Sequence, residues 1–213
     1  MSNDALGPLR ETISAVLRAA LGGIEQRARA TEREVVRVLG AVSREPVLSR
    51  LHLTGAGGGE LWFESDRAGM RLLDASFQPP PDAFGHALEV PLRAGAHLLS
   101  QLRRGALDAE AMLLAVAGLA SETARDAFAR TPFAFQLEVV DVPVLGSVVA
   151  QVGLGRPRIA APPEFRLSVE SDELEDAFEQ GTPPHQLFLA GKVRIDGDVA
   201  KAMLLGMTLA ELG

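Results

Sequence analysis

Residues 165–181 read Phe165-Arg-Leu-Ser-Val-Glu-Ser-Asp-Glu-Leu-Glu-Asp-Ala-Phe-Glu-Gln-Gly181, and residues 186–203 read Gln186-Leu-Phe-Leu-Ala-Gly-Lys-Val-Arg-Ile-Asp-Gly-Asp-Val-Ala-Lys-Ala-Met203. Phe165, Leu167 and Val169 alternate with polar residues, which predicts a half-buried strand. Ser171 is a natural N-cap, and Asp172 and Glu173 suit the positive end of a helix dipole. Leu174 and Phe178 then share a helical face, and Gly181 is the expected left-handed residue that closes the helix. Gly191 and Gly197 bracket Lys192–Asp196, where Val193 and Ile195 alternate with Lys192 and Arg194 as in a strand. Asp198 caps a final helix carrying Val199, Ala202, Met203, Leu205, Met207, Leu209 and Leu212. Apolar residues occupy more than one stripe of that helix, so it needs cover on both flanks from sheet, neighbouring unit or ligand.

The same pattern recurs upstream in a weaker form. Gly105 aligns with Gly181, Met112 with Phe188, Leu119 with Ile195 and Ala124-Arg125 with Ala200-Lys201, each 76 positions apart. Arg44-Glu-Pro46 with Leu51 and Leu53 matches Arg130-Thr-Pro132 with Leu137 and Val139 at a spacing of 86. A repeat decides architecture before other signals do, and two copies suggest two fused small units. In the upstream copy the two bracketing glycines are Ala115 and Ser121, and good helix formers lie between them. Residues 109–129 therefore read as one continuous helix. It closes the first unit, which has lost its last strand, and opens the second. The expected division is a helical segment over 1–43, a degenerate unit over 44–128 and an intact unit over 109–213, with helix 109–129 shared.

The run Leu189-Ala-Gly-Lys-Val-Arg-Ile-Asp-Gly-Asp-Val-Ala-Lys-Ala-Met203, with the preceding Ser-Asp-Glu-Leu helix and the Gly181-Thr-Pro-Pro turn, resembles the C-terminal signature of the sterol-carrier-protein type-2 family. The resemblance covers residues 130–213 well and 44–128 loosely. Its motif is packing and turn chemistry, not a catalytic set. It implies an α+β fold of two fused sterol-carrier-like units, each a mostly antiparallel sheet covered by helices, with an apolar tunnel between the layers. The implied function is non-catalytic binding or transfer of a sterol, fatty acyl group or similar lipid, with no cofactor and with transient membrane contact as a candidate. The alternative is a ligand-free accessory module for a partner enzyme that acts on a hydrophobic substrate.

The rest of the chain supplies further elements. Pro8 suits the first turn of a helix over 8–21, ended by Gly22-Gly23. A charged second helix follows over 24–42, and residues 8–43 are the candidate surface for a homodimer or partner enzyme. Leu51 and Leu53 alternate within a strand beginning near Val47, and Gly55-Ala-Gly-Gly-Gly59 joins it to Glu60-Leu-Trp-Phe-Glu64 as a hairpin. That glycine run lacks the Lys-Ser/Thr ending and following helix of a phosphate loop. A third strand is expected near 70–75. Leu88, Val90 and Leu92 share one side of another strand, and Pro91 marks it as an edge or a bulge. In the second unit Phe133, Phe135, Leu137 and Val139 alternate, with further strands near 147–152 and 156–160.

Composition narrows the classes. A chain of 213 residues is long enough to bury a real core. Its net charge of −7 argues against generic nucleic-acid binding. It has no cysteine, and its Met1-Ser-Asn-Asp start lacks a secretory pattern, which fits a cytoplasmic home. No apolar run approaches the length of a spanning helix. None of His52, His86, His97 and His185 has metal-ligand spacing to another histidine. Ser65-Asp66 and Ser171-Asp172 lack a histidine partner, and no Gly-x-Ser-x-Gly elbow occurs, so no catalytic residue is assigned. Asp172, Glu173, Glu175 and Asp176 read as a solvated helix face, and Lys192 and Arg194 as outward charges of a sheet. The ligand-binding candidates are Phe133, Phe135, Leu137, Phe178, Phe188, Val193, Ile195, Met203 and Met207. Lipid sites need concave apolar surface, and methionine adapts to varied hydrophobic shapes. Spacing does not separate a cavity from a packed core; the resemblance implies the cavity.

Overall fold

The computed structural model describes residues 6–160, 162–179, 182 and 184–212. Two N-terminal helices, α1 (Gly7–Arg29) and α2 (Arg33–Ala41), precede the hairpin β1 (Val47–Thr54)–β2 (Gly59–Asp66) and the short β3 (Gly69–Leu72). The chain continues through β4 (Gly85–Pro91), α3 (Leu92–Arg104), α4 (Ala109–Leu119) and α5 (Glu122–Arg130). A second hairpin, β5 (Phe133–Val142)–β6 (Gly146–Leu154), leads to β7 (Phe165–Glu170), α6 (Ser171–Glu179), α7 (Pro184–Leu189), β8 (Val193–Gly197) and α8 (Val199–Leu212).

The described strands form one sheet in the order β3-β2-β1-β4-β6-β5-β7-β8. β4 lies parallel to β1, and β7 lies parallel to β5, so each hairpin is followed by a crossover to a parallel neighbour of its first strand. The two groups meet where β4 pairs antiparallel with β6. The fold is α+β, as the alternating strand and helix patterns predict.

Period-two alternation sorts the side chains by face. On one face Leu53 and Leu61 pack with Leu6 and Ile13 of the N-terminal segment, and Phe133, Phe135, Leu154 and Phe165 pack with Phe128, Ala202 and Leu205. The helices therefore cover this face. The other face is charged. There Arg50, only 7% exposed, donates to Glu60 and Glu89 at 2.7 Å each. Burial alone would raise the Glu60 carboxyl, but the hydrogen bond and charge of Arg50, with Arg158 nearby, hold it below the usual carboxylate range. Arg158 also stacks over the Trp62 ring, 5.3 Å from its centroid.

Several sequence expectations need correction. Helix 109–129 is not continuous: it breaks at Ala120–Ser121. Ser121 Oγ accepts the Ala124 N–H, and Ser121 bridges to Val42, so a strong N-cap and a tertiary contact outweigh local helix propensity. Conversely, α1 runs through Gly22-Gly23 to Arg29. A Cβ at Gly23 would lie 2.0 Å from Glu110 Oε1, so the glycine lets α4 approach closely and repays its poor helix propensity. The second helix consequently begins at Arg33, after Thr31 turns the chain with φ 64°. The segment 156–160 is not a strand. Gly155 turns at φ 87° against the Phe128 carbonyl, and Pro157 cannot donate to a ladder. β4 is internal rather than an edge; Pro91 is tolerated as its last residue, past the end of the β6 ladder at Glu89. Asp198 does cap α8, accepting the Lys201 N–H at 3.0 Å. Gly181, read as a left-handed cap, lies outside the described residues.

Candidate functional site

Strand register arranges the helix-covered face in rows, and burial along those rows locates the site. One row is Ser49, His86, Leu154 and Phe133; its last three members are buried. Phe128 and Phe133 meet edge to face, as do His86 and Phe128, which seals this end with aromatic packing.

The next row is Leu51, Leu88, Val152, Phe135 and Phe165. Phe135 and Phe165 stack with centroids 5.2 Å apart and are buried, but Leu88 is 37% exposed and Val152 only half-buried. Leu88 belongs to an internal strand with partners on both sides, and its face is the one the helices cover. Its exposure means that the helical layer parts over the β4–β6 seam. The following rows, Ala150, Leu137 and Leu167, then Val148, Val139 and Val169, mix half-buried residues with buried Ala150 and Val169. On α3, Gly95 sits against Leu53 and Val90, while Leu92 and Leu99 pack with the α1 side. Leu98 projects from the opposite flank and is also 37% exposed. The outcome is a strip of solvent-reached apolar surface over β4, β6 and β5.

The nine sequence candidates separate on this map. Phe133 and Phe135 are packed core, both buried in the cluster around Phe128 and Phe165. Leu137 and Ile195 are half-buried and touch the edge of that core, and Val193 is half-buried at the far end of the face. Phe188 is half-buried on α7, and the side chain of Phe178 lies outside the described residues. Met203 and Met207 are not brought to the sheet. α8 turns Ala202, Leu205, Leu209 and Leu212 inward, which leaves Met203 and Met207 on its outer surface, 50% and 63% exposed. Leu88 was not among these candidates; it carried an apolar signal, but only the pairing of β4 with β6 makes it internal.

The polar groups near this face are structural. His86 Nε2 donates to the Leu119 carbonyl at 3.0 Å, and its Nδ1 accepts the Gly155 N–H at 3.4 Å. Burial pushes the ring down to about 4, against the opposing pull of the Leu119 bond. The neutral ring thus ties α4 to the end of β6. Glu138, on the charged face, is held below its ordinary value by the Ser147 and Ser168 hydroxyls. Lys192 bonds Glu173, and Arg194 stands opposite Ser168, outside the helix-covered face. No group of three or more His, Asp or Glu suited to a metal occurs among the described residues. A cavity of about 40 Å³ between α1, α2, α4 and β2–β3 has room for a water molecule but not for a lipid. A cleft of about 440 Å³ beside Arg10, Glu11, Arg18 and Asp74 is open and polar. Among the described residues no helix is long and apolar enough to cross a membrane.

Residues 113–210 match the SCP-2 sterol transfer family. The match spans most of α4 through α8 and leaves Leu88 and Leu98 outside it. No curated protein and no solved structure matches the chain.

Proposed function

We propose that this chain, which carries an SCP-2 sterol transfer domain over residues 113–210, binds a single apolar lipid on the helix-covered face of its sheet, over the β4–β6–β5 strip. The family supports a role in lipid binding or transfer in general. The observation that carries the location is the exposure of Leu88 on an internal strand beneath a helical layer. A sterol or acyl chain laid along Leu88, Val152, Leu137 and Val139 would cover that surface, with Phe188, Val193 and Ile195 toward its far end. Each 100 Å² of apolar area removed from water contributes about 2.5 kcal/mol. Few polar groups reach the strip, so the ligand is read by shape, and specificity is broad. No catalytic step is part of this reading.

The recurrence of hairpin, parallel strand and helix in the two halves supports treating residues 44–128 as a degenerate copy of the second unit. That copy supplies Leu88, so the proposed strip belongs to both halves. A second reading, an accessory module that docks a partner enzyme, is favoured by the uncovered outer surface of α8. Titration with a fluorescent sterol and a fluorescent fatty acyl probe tests the lipid reading. Saturation at one probe per chain supports it. A folded protein that takes up neither contradicts it.

A further inference from the structure

The β5–β6 hairpin ends in a turn whose most exposed residue is both apolar and strained. Leu145 N–H donates to the Val142 carbonyl at 3.1 Å, with Pro143 and Val144 between them. Proline at the second position and a positive φ at the third are the arrangement of a type II turn, whose third position belongs to glycine or asparagine. Here that position is Val144, at φ 71° and 97% exposed. A β-branched residue rarely adopts this conformation, and strain that a fold maintains points to function. The hairpin also projects. β4 pairs with β6 only from Gln151 onward, and β7 pairs with β5 only as far as Val140. The turn therefore stands about 10 Å beyond the β7 ladder, at about 3.3 Å per residue. Between Val139 and Val149 the one charged side chain is Asp141.

Shape and charge select the occupant. Val142, Pro143, Val144 and Leu145 together offer far less than the roughly 800 Å² per partner that a stable protein interface buries. A protein surface meets a convex tip on one side only. Lipid closes around it from every side and removes the whole exposed area from water. An anionic bilayer recruits proteins through lysine and arginine, and residues 139–149 have neither. A zwitterionic surface needs only apolar contact. The proposed lipid strip leads to the same place: Val139 and Val148, its last row, adjoin the turn. We infer that the Val142–Leu145 turn dips into the interface of a zwitterionic phospholipid bilayer, where lipid passes between the bilayer and the strip. The passage of lipid rests on the lipid-binding reading; the contact of the turn with the bilayer does not. So small an area makes the contact weak and reversible, which suits a protein that must leave the bilayer again.

The chain has no cysteine, so a single label can be placed at will. Val144→Cys and Met203→Cys, at side chains 97% and 50% exposed, are each labelled with an environment-sensitive dye. Each is mixed with phosphatidylcholine vesicles, with and without a spin-labelled lipid. The dye at position 144 is expected to shift to the blue and to be quenched by the spin label; the dye at position 203 is expected to do neither. An unresponsive dye at 144 overturns the inference. So does a dye at 203 that enters the bilayer instead, which would put α8 on the membrane. The second arm is unlabelled Val144→Asn. Asparagine accepts a positive φ, so its urea midpoint should stay or rise, while vesicle sedimentation falls about threefold or more. Unchanged sedimentation overturns the inference. Val144→Asn should take up the fluorescent acyl probe from solution as the native chain does, but acquire it from vesicles several times more slowly. Equal acquisition from vesicles overturns the transfer route. If neither chain takes up the probe while the dye at 144 still enters vesicles, the lipid-binding reading fails and the bilayer contact stands.

Discussion

His86 Nε2 lies 3.0 Å from the Leu119 carbonyl oxygen, so a neutral imidazole on β4 holds the last turn of α4 against the sheet. The ring is buried, and its folded value of about 4 lies below the ordinary 6.5. The unfolded chain therefore takes up a proton that the folded chain refuses. The stabilising contribution is complete above about pH 6.5 and is lost progressively as pH falls toward 4, by about 3 kcal/mol in all. Urea unfolding at pH 7 and pH 4.5 is expected to show a larger fall for the native sequence than for His86→Gln. An equal fall in both would remove His86 as the cause.

Leu88 and Phe133 share a face of the sheet but should respond differently to substitution. Phe133→Ala empties a sealed aromatic cluster and is expected to cost about 3–5 kcal/mol. Leu88→Asp puts a carboxylate on surface that solvent already reaches, so stability should change by about 1 kcal/mol or less. The same change places a charge in the proposed lipid strip and should lower probe uptake by about tenfold or more. A chemical denaturation curve and a probe titration on each variant give both readouts. Normal uptake by folded Leu88→Asp would move the lipid elsewhere.

Arg50 is the hub of the charged face. Removing it as Arg50→Ala leaves Glu60 and Glu89, both half-buried, without their shared cation. Partial solvent access reduces the cost below that of a fully buried pair, to about 2 kcal/mol. Arg50→Met combined with Glu60→Gln and Glu89→Gln should regain most of that loss. Thermal melts of the three proteins check the order, and a triple variant weaker than Arg50→Ala would show that the charges themselves are required.

Gly155 closes the turn after β6 with φ 87°, and a Cβ there would stand 2.3 Å from the Phe128 carbonyl oxygen. Backbone cannot yield as a side-chain tip can. Gly155→Ala is expected to cost at least about 2 kcal/mol. Gly23→Ala meets only the end of the Glu110 side chain and should cost much less. Comparing the two midpoints in one denaturant checks the distinction.

Local pattern carried most of the strands. Phe133 to Val139 and Phe165 to Val169 alternate as read, because each presents one face to a core and one away from it, and Gly55–Gly59 joins β1 to β2 as the expected hairpin. Helix ends were less legible where a distant contact set them. Ser121 stops α4 because Val42 is there to pair with it, and Gly23 stays helical because Glu110 lies over it. The site was the least legible part. Met203 and Phe133 are both apolar at the right spacing, yet one lies outside the fold and the other inside it. Which side of α8 meets the sheet depends on Ala202 and Leu205 fitting against the phenylalanines. Leu88 enters the proposed strip only through its strand partner Val152, which is far away in the chain.

The most direct measurement is mass spectrometry of an organic extract of the purified chain, with the native mass taken from the same sample. The account predicts one sterol, acyl or related lipid per chain, present in the native sequence and depleted in Leu88→Asp. An extract free of lipid, from a folded protein that also refuses both fluorescent probes, would contradict it.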